Sequence, residues 1–147
     1  MKKALLIYAS LTGNTVQAVR VVQEALENLG VDVTVEESVA ADVYDFEDYD
    51  INLIATYTWG PDGSLPDEII DVYEELHELD LSDKIYGVFG TGDTFYEDLF
   101  CKSITDFEKA FENTDAKRGA ESVLIDLAPE DEDIEKLQTF STILAEA

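Results

Sequence analysis

Short apolar runs alternate five times with stretches that carry the spacing of amphipathic helices, and this alternation limits what the chain can fold into. The runs are Lys3 to Ala9, Val31 to Val35, Ile51 to Tyr57, Ile85 to Gly90 and Ser122 to Leu127. The first helix is expected from Asn14 to Leu29, with Ala18, Val22, Ala25 and Leu29 on one face and Gly30 as its stop. The second opens at Pro66, where Asp67 and Glu68 suit a first turn, and carries Ile69, Tyr73, Leu76 and Leu79. A third presents Phe100, Ile104, Phe107 and Phe111. A fourth begins at Pro129 with an acidic first turn, Glu130 to Asp133, and buries Ile134, Leu137 and Phe140.

The strands differ in character. Ile51 to Tyr57 is predominantly apolar, as a sheet centre requires. Val31, Val33 and Val35 alternate with Asp32, Thr34 and Glu36, which predicts an edge strand with one wet face. Residues 37–50 read as acidic and irregular, with one helical turn near Val39-Ala40-Ala41, and Arg118-Gly119 as the turn into the fifth strand. Strand–helix alternation implies a parallel sheet with helices on both faces, a single doubly wound α/β domain over residues 1–147. Ligands of such sheets sit beyond the carboxyl ends of the strands. Three loops leave those ends with unusual residues: 10–15, 56–63 and 90–96.

Composition removes several functions. A formal net charge of −25 with 46% hydrophobic residues describes a globular chain that repels nucleic acid and anionic membranes. One cysteine, Cys101, excludes an internal disulfide. With His77 as the only histidine, a Cys/His zinc site and a Ser-His-Asp triad are disfavoured, and His77, among Glu74, Glu75 and Glu78, is expected to face solvent. The apolar run after Met1-Lys2-Lys3 is too short for a signal peptide or membrane span, so a cytoplasmic protein is expected.

In the first loop, Ser10-Leu11-Thr12-Gly13-Asn14-Thr15 follows a strand and opens a helix. Such a turn aims unpaired N–H groups and the positive end of a helix dipole at one point, a seat for phosphate. Hydroxyls of Ser10, Thr12 and Thr15 and the Asn14 amide add donors, and Gly13 permits close approach. No Lys or Arg lies between Lys3 and Arg20, and the lysine-bearing nucleoside-triphosphate motif is absent. A polar turn without a ligand would look much the same. The second loop, Thr56-Tyr57-Thr58-Trp59-Gly60-Pro61-Asp62-Gly63, holds the only tryptophan, and the third, Gly90-Thr91-Gly92-Asp93-Thr94-Phe95-Tyr96, holds a second exposed aromatic. A flat conjugated ring bearing a phosphate would suit all three.

These three stretches, in this order, resemble the flavodoxins: Ser10 to Thr15 their phosphate loop, Thr58-Trp59-Gly60 and Gly92 to Tyr96 their ring-binding loops. The similarity covers essentially the whole chain and, without a large insertion in the fifth strand, looks like the short-chain subgroup. It implies strand order 2-1-3-4-5 in a five-stranded sheet, noncovalently bound FMN, and low-potential one-electron transfer between a reductase and acceptor enzymes. Ser10, Leu11, Thr12, Gly13, Asn14 and Thr15 would surround the phosphate. Trp59 and Tyr96 would cover the two ring faces, with Thr91, Gly92 and Asp93 at the pyrimidine edge and Thr56, Tyr57, Thr58 and Gly60 nearby.

A reduced, anionic ring between two aromatic faces in a chain of charge −25 would be disfavoured, which drives the potential down. The Gly60-Pro61 pair departs from the family's commoner glycine–acidic pair. Proline forbids the positive φ that a type II turn needs there, so the Gly60 carbonyl is expected to face N5 of the ring before reduction, unless the bond is cis. Asp62, Asp67, Glu68, Asp93, Glu97 and Asp98 would steer the exposed ring edge toward a basic-surfaced flavodoxin reductase and redox acceptor proteins, the chain acting as a monomer. A flavodoxin-like activator of ribonucleotide reductase and a small FMN-dependent quinone reductase are the alternatives. A phosphoacceptor signalling domain is excluded by Ser10, Thr56 or Tyr57, and Ala128 at the positions where acids and a lysine would stand.

Overall fold

The structure, a computed structural model, describes residues 2–9, 14–57, 67–92, 102–126 and 128–147. In chain order the elements are β1 (Lys3–Tyr8), α1 (Asn14–Asn28), β2 (Asp32–Glu37), a 3₁₀ turn (Val43–Asp48), β3 (Ile51–Tyr57), and a 3₁₀ turn (Asp67–Ile69) running into α2 (Ile70–Leu76). Then come β4 (Ile85–Gly92), α3 (Lys102–Asn113), β5 (Lys117–Arg118), β6 (Val123–Asp126) and α4 (Asp131–Glu146).

All strand pairings are parallel, in the order β2-β1-β3-β4-β5, with β6 also on β4. The expected order 2-1-3-4-5 is present, but its fifth member is two short segments rather than one strand from Ser122 to Leu127. Lys117 and Arg118 pair with Ile85 and Tyr86, and Val123 to Asp126 pair with Phe89 to Gly92. β4 itself runs two residues beyond the expected Gly90, so Thr91 and Gly92 belong to the sheet rather than to a loop.

Each face of the sheet carries its own core. Leu5, Ile7, Ile54, Tyr86 and Val88 meet α2 and α3 through Val72, Leu76, Ile104, Phe107 and Phe111. Ala4, Leu6, Leu53, Phe89 and Ile125 meet α1 and α4 through Ala18, Val22, Leu26, Leu137, Phe140 and Leu144. The continuous apolar runs of the central strands follow from this double cover.

Several expectations shift. The buried stripe of α1 is Ala18, Val19, Val22 and Leu26. Leu29 lies past the last turn and is 48% exposed. Val31 is buried but Val33 and Val35 are only half-buried, as are Thr34 and Glu36. Both faces of β2 are thus partly covered, and the Tyr49 hydroxyl donates to Thr34 Oγ1 at 3.4 Å from one side. Near Val39 there is only a turn closed by Ala40 N–H on the Glu37 carbonyl; the helical segment comes later. That segment starts where the Asp42 carboxylate accepts from Tyr44 N–H, and it sends Val43 and Phe46 into the core. His77 is half-buried, edge-on to the Tyr73 ring with its Nδ1 2.9 Å from Asn113 Nδ2. Ile134 is half-buried, while Glu130 and Asp133 form a reciprocal cap at the start of α4.

Candidate functional site

Parallel pairing brings the carboxyl ends of β1, β3 and β4 to one edge of the sheet. Ala9 N–H donates to the Ala55 carbonyl at 3.0 Å, so the chain is still bound to β3 when it reaches residue 10. Thr56 stands opposite Gly90, and Tyr57 opposite Thr91. The strands that precede residues 10–15, 58–66 and 93–101 are therefore neighbours.

At the Thr56–Gly90 pair the two backbones leave no space for a side chain. A Cβ on Gly90 would fall 1.9 Å from the Thr56 carbonyl oxygen. Thr56 is fully buried, and its hydroxyl bonds only weakly to the Tyr57 carbonyl, at 3.4 Å.

α1 begins at this edge with Asn14 half-buried and Thr15 1% exposed. Its first turn holds no acidic residue, so the positive end of its dipole is not neutralised from within. α4, by contrast, covers its own N-terminus with Asp131, Glu132 and Asp133. Thr15 Oγ1 and Thr91 Oγ1 lie 3.2 Å apart, both residues buried, which ties the start of α1 to the end of β4.

On the other side of β3, the Tyr57 hydroxyl donates to Glu68 Oε1 at 2.6 Å. Burial, that bond and the charges of Glu68 and Asp67 push the Tyr57 pKa well above the ordinary phenol value. Tyr8 donates to Glu37 at 3.4 Å, and burial, followed by the Glu37 carboxylate, raises its pKa as well. A cavity of about 240 Å³ lies here, lined by Tyr8, Ala9, Val16, Ser38 and the carboxylates Glu37 and Glu68. A larger hollow of about 1000 Å³, between β6 and α4, lies away from these strand ends.

Of the residues expected at the site, Asn14, Thr15, Thr56, Tyr57, Thr91 and Gly92 are described, and all six sit at this edge. Ser10, Leu11, Thr12, Gly13, Thr58, Trp59, Gly60, Asp93 and Tyr96 lie outside the described residues, as do Pro61, Asp62, Glu97, Asp98 and Cys101. Of the acidic docking group, Asp67 is exposed, while Glu68 is half-buried and engaged by Tyr57. Sequence reasoning did not find the Tyr57–Glu68 bond or the closure at Gly90. Both depend on cross-strand and loop-end pairing that no local spacing reveals.

Among the described residues the side-chain donors at this helix start, Asn14, Thr15 and Thr91, are neutral, and the first turn carries no acid. That set fits a bound phosphate group better than a cation. Among the described residues no group of three or more His, Cys, Asp and Glu side chains is placed to hold a metal ion, and no helix is long and apolar enough to cross a membrane.

Comparison with known proteins bears directly on this edge. The flavodoxin family model matches residues 6–140. A probable flavodoxin 2 of Bacillus subtilis is 38% identical over 143 residues, covering 95% of this chain and 92% of its own length. The solved flavodoxin of Streptococcus pneumoniae TIGR4 superposes with a TM-score of 0.95 at 49% identity, covering 98% of each chain. A short-chain flavodoxin associated with a bacterial microcompartment gives 0.96 at 41% identity, covering 99% of this chain and 98% of its own. The strand order, the acid-free helix start and these similarities converge: the chain belongs to the flavodoxin family, whose members are FMN-binding electron carriers.

Proposed function

We propose that the chain is a low-potential one-electron carrier that takes electrons from a reductase, passes them to acceptor enzymes and has no substrate of its own. FMN supplies the electron chemistry when bound. Asn14 and Thr15 would hold the phosphate with Ser10, Leu11, Thr12 and Gly13. Thr56, Tyr57, Thr58, Gly60, Thr91, Gly92 and Asp93 would border the rest of the cofactor, with Trp59 and Tyr96 against the ring. The observation that carries this reading is the start of α1, free of acid and joined by Thr15 to the end of β4.

With neutral donors only, the chain would bind the phosphate without offsetting its charge. In a protein of net charge −25, added negative charge on the cofactor is then disfavoured, which lowers the potential. The same surface charge favours encounter with basic partners, so transfer rates should fall steeply as salt rises. A flat salt dependence would remove the steering. The reading takes residues 1–147 as one FMN-binding unit, monomeric and cytoplasmic. Nothing in the structure or its relatives favours a ribonucleotide reductase activator or a quinone reductase.

The test is titration of apoprotein with FMN. The complex should be yellow, form one to one, and quench the single tryptophan. A sample that stays colourless with full tryptophan emission in excess FMN would overturn the assignment.

A further inference from the structure

The contact between Thr15 and Thr91 has a direction that the geometry alone leaves open, since either hydroxyl can donate. Each hydroxyl owns one proton. A phosphate at the start of α1 only accepts, so Thr15 can serve it only by donating its single proton there. The Thr15 oxygen is then left to accept, and Thr91 must be the donor. Thr15 is 1% exposed and Thr91 6%, so bulk water does not readily replace either partner.

We infer that Thr91 is a positioning residue of the phosphate seat, donating to Thr15 Oγ1 and so aiming the Thr15 proton at the phosphate. This rests on the proposed site, and it moves the Thr91 side chain from the ring edge to the tail. The Thr91 backbone, paired with Tyr57 on one side and Ile125 on the other, fixes where that hydroxyl stands. Hydrogen bonds in series polarise one another, so the inner hydroxyl strengthens the outer bond as well as orienting it.

Riboflavin is FMN without the phosphate, and it separates the two roles. Thr91→Val keeps the shape and the strand preference while removing the hydroxyl. Affinity for FMN should fall about fivefold to tenfold, the scale of one buried hydrogen bond. Affinity for riboflavin should fall much less than that for FMN, as no phosphate bond is involved. Thr91→Ser should restore FMN binding, because the hydroxyl returns. In a Thr15→Val background, Thr91→Val should cost FMN affinity little more, since the relay is already broken.

Equal losses for FMN and riboflavin in Thr91→Val would return Thr91 to the ring edge and overturn the inference. Unchanged FMN affinity, or failure of Thr91→Ser to restore it, would do the same. Thermal melts of each apoprotein show whether a variant has folded, and Thr91→Ala, which also removes the hydroxyl, carries the same FMN-against-riboflavin comparison if the valine variant has not. If the unaltered protein binds FMN no better than riboflavin, the phosphate seat itself is wrong, a failure distinct from that of the relay.

Discussion

Replacing Gly90 with alanine tests the close approach of β3 and β4 at this pair. The new methyl carbon would lie 1.9 Å from the Thr56 carbonyl oxygen, 2.9 Å from its carbon and 3.1 Å from its nitrogen. A carbon and a carbonyl oxygen rest at about 3.3 Å, so β3 and β4 would have to part locally by about 1.4 Å. The obstacle is backbone, with no rotamer to turn aside. Separation on that scale sacrifices about two ladder hydrogen bonds, each worth about 1 kcal/mol. Overpacking of a filled interior adds about 1–3 kcal/mol. Gly90→Ala should therefore cost about 3–5 kcal/mol. At about 2–4 °C per kcal/mol for a chain of this size, the melting temperature should drop by roughly 6–20 °C.

Gly30→Ala is the matched control. Gly30 has a φ of +85° but no atom within 4 Å of the added carbon, so only backbone strain is introduced, about 1 kcal/mol. Urea unfolding of the apoproteins, followed by far-ultraviolet circular dichroism, gives both values. If Gly90→Ala lies within 1 kcal/mol of the unaltered protein, or costs less than Gly30→Ala, the argument from steric closure is wrong.

Asn52 is fully buried in β3, and neither its amide nitrogen nor its oxygen is hydrogen-bonded to a described residue, so Asn52→Leu should stabilise by about 1–2 kcal/mol, measured by the same unfolding curves. Tyr57 has its pKa raised from the ordinary value of 10.0, so the folded state holds its proton more tightly than the unfolded state. Its contribution is whole below pH 10 and declines as pH rises toward the folded-state pKa. The stability of the unaltered protein should thus fall more steeply above pH 10 than that of Tyr57→Phe; parallel declines would refute this. Glu130→Ala opens the reciprocal cap of α4 and should cost about 1 kcal/mol, read as a shift in urea midpoint at constant slope.

The features legible from the sequence were those set by local pattern. Ile51 to Tyr57 is bounded as read, because a predominantly apolar stretch of seven residues between acidic and loop segments suits a central strand. Strand order and the edge that gathers Thr15, Thr56 and Thr91 followed from alternation and from the family resemblance. What was not legible depended on partners distant in sequence. Leu29 continues the helical period, but α1 ends at Asn28 and leaves the Leu29 side chain about half exposed. Thr91 and Gly92 look like loop residues, yet Ile125 and Asp126 of β6 hold them in the ladder. Glu68 reads as one more surface carboxylate until the Tyr57 hydroxyl is found upon it.

The interruption between Arg118 and Val123 bears on how the molecule lives at high concentration. An outermost strand offers its free amides and carbonyls to any passing chain, and a long flat one invites fibrous growth. Here a stranger would meet two residues of usable register, then four out of line with them, with Leu124 exposed on the second piece. At the far margin, Asp32, Glu36 and Glu37 on β2 repel another copy of the same acidic chain. An all-parallel sheet is thereby given two unattractive borders, and mending the gap into one continuous strand would be expected to exchange solubility for self-association.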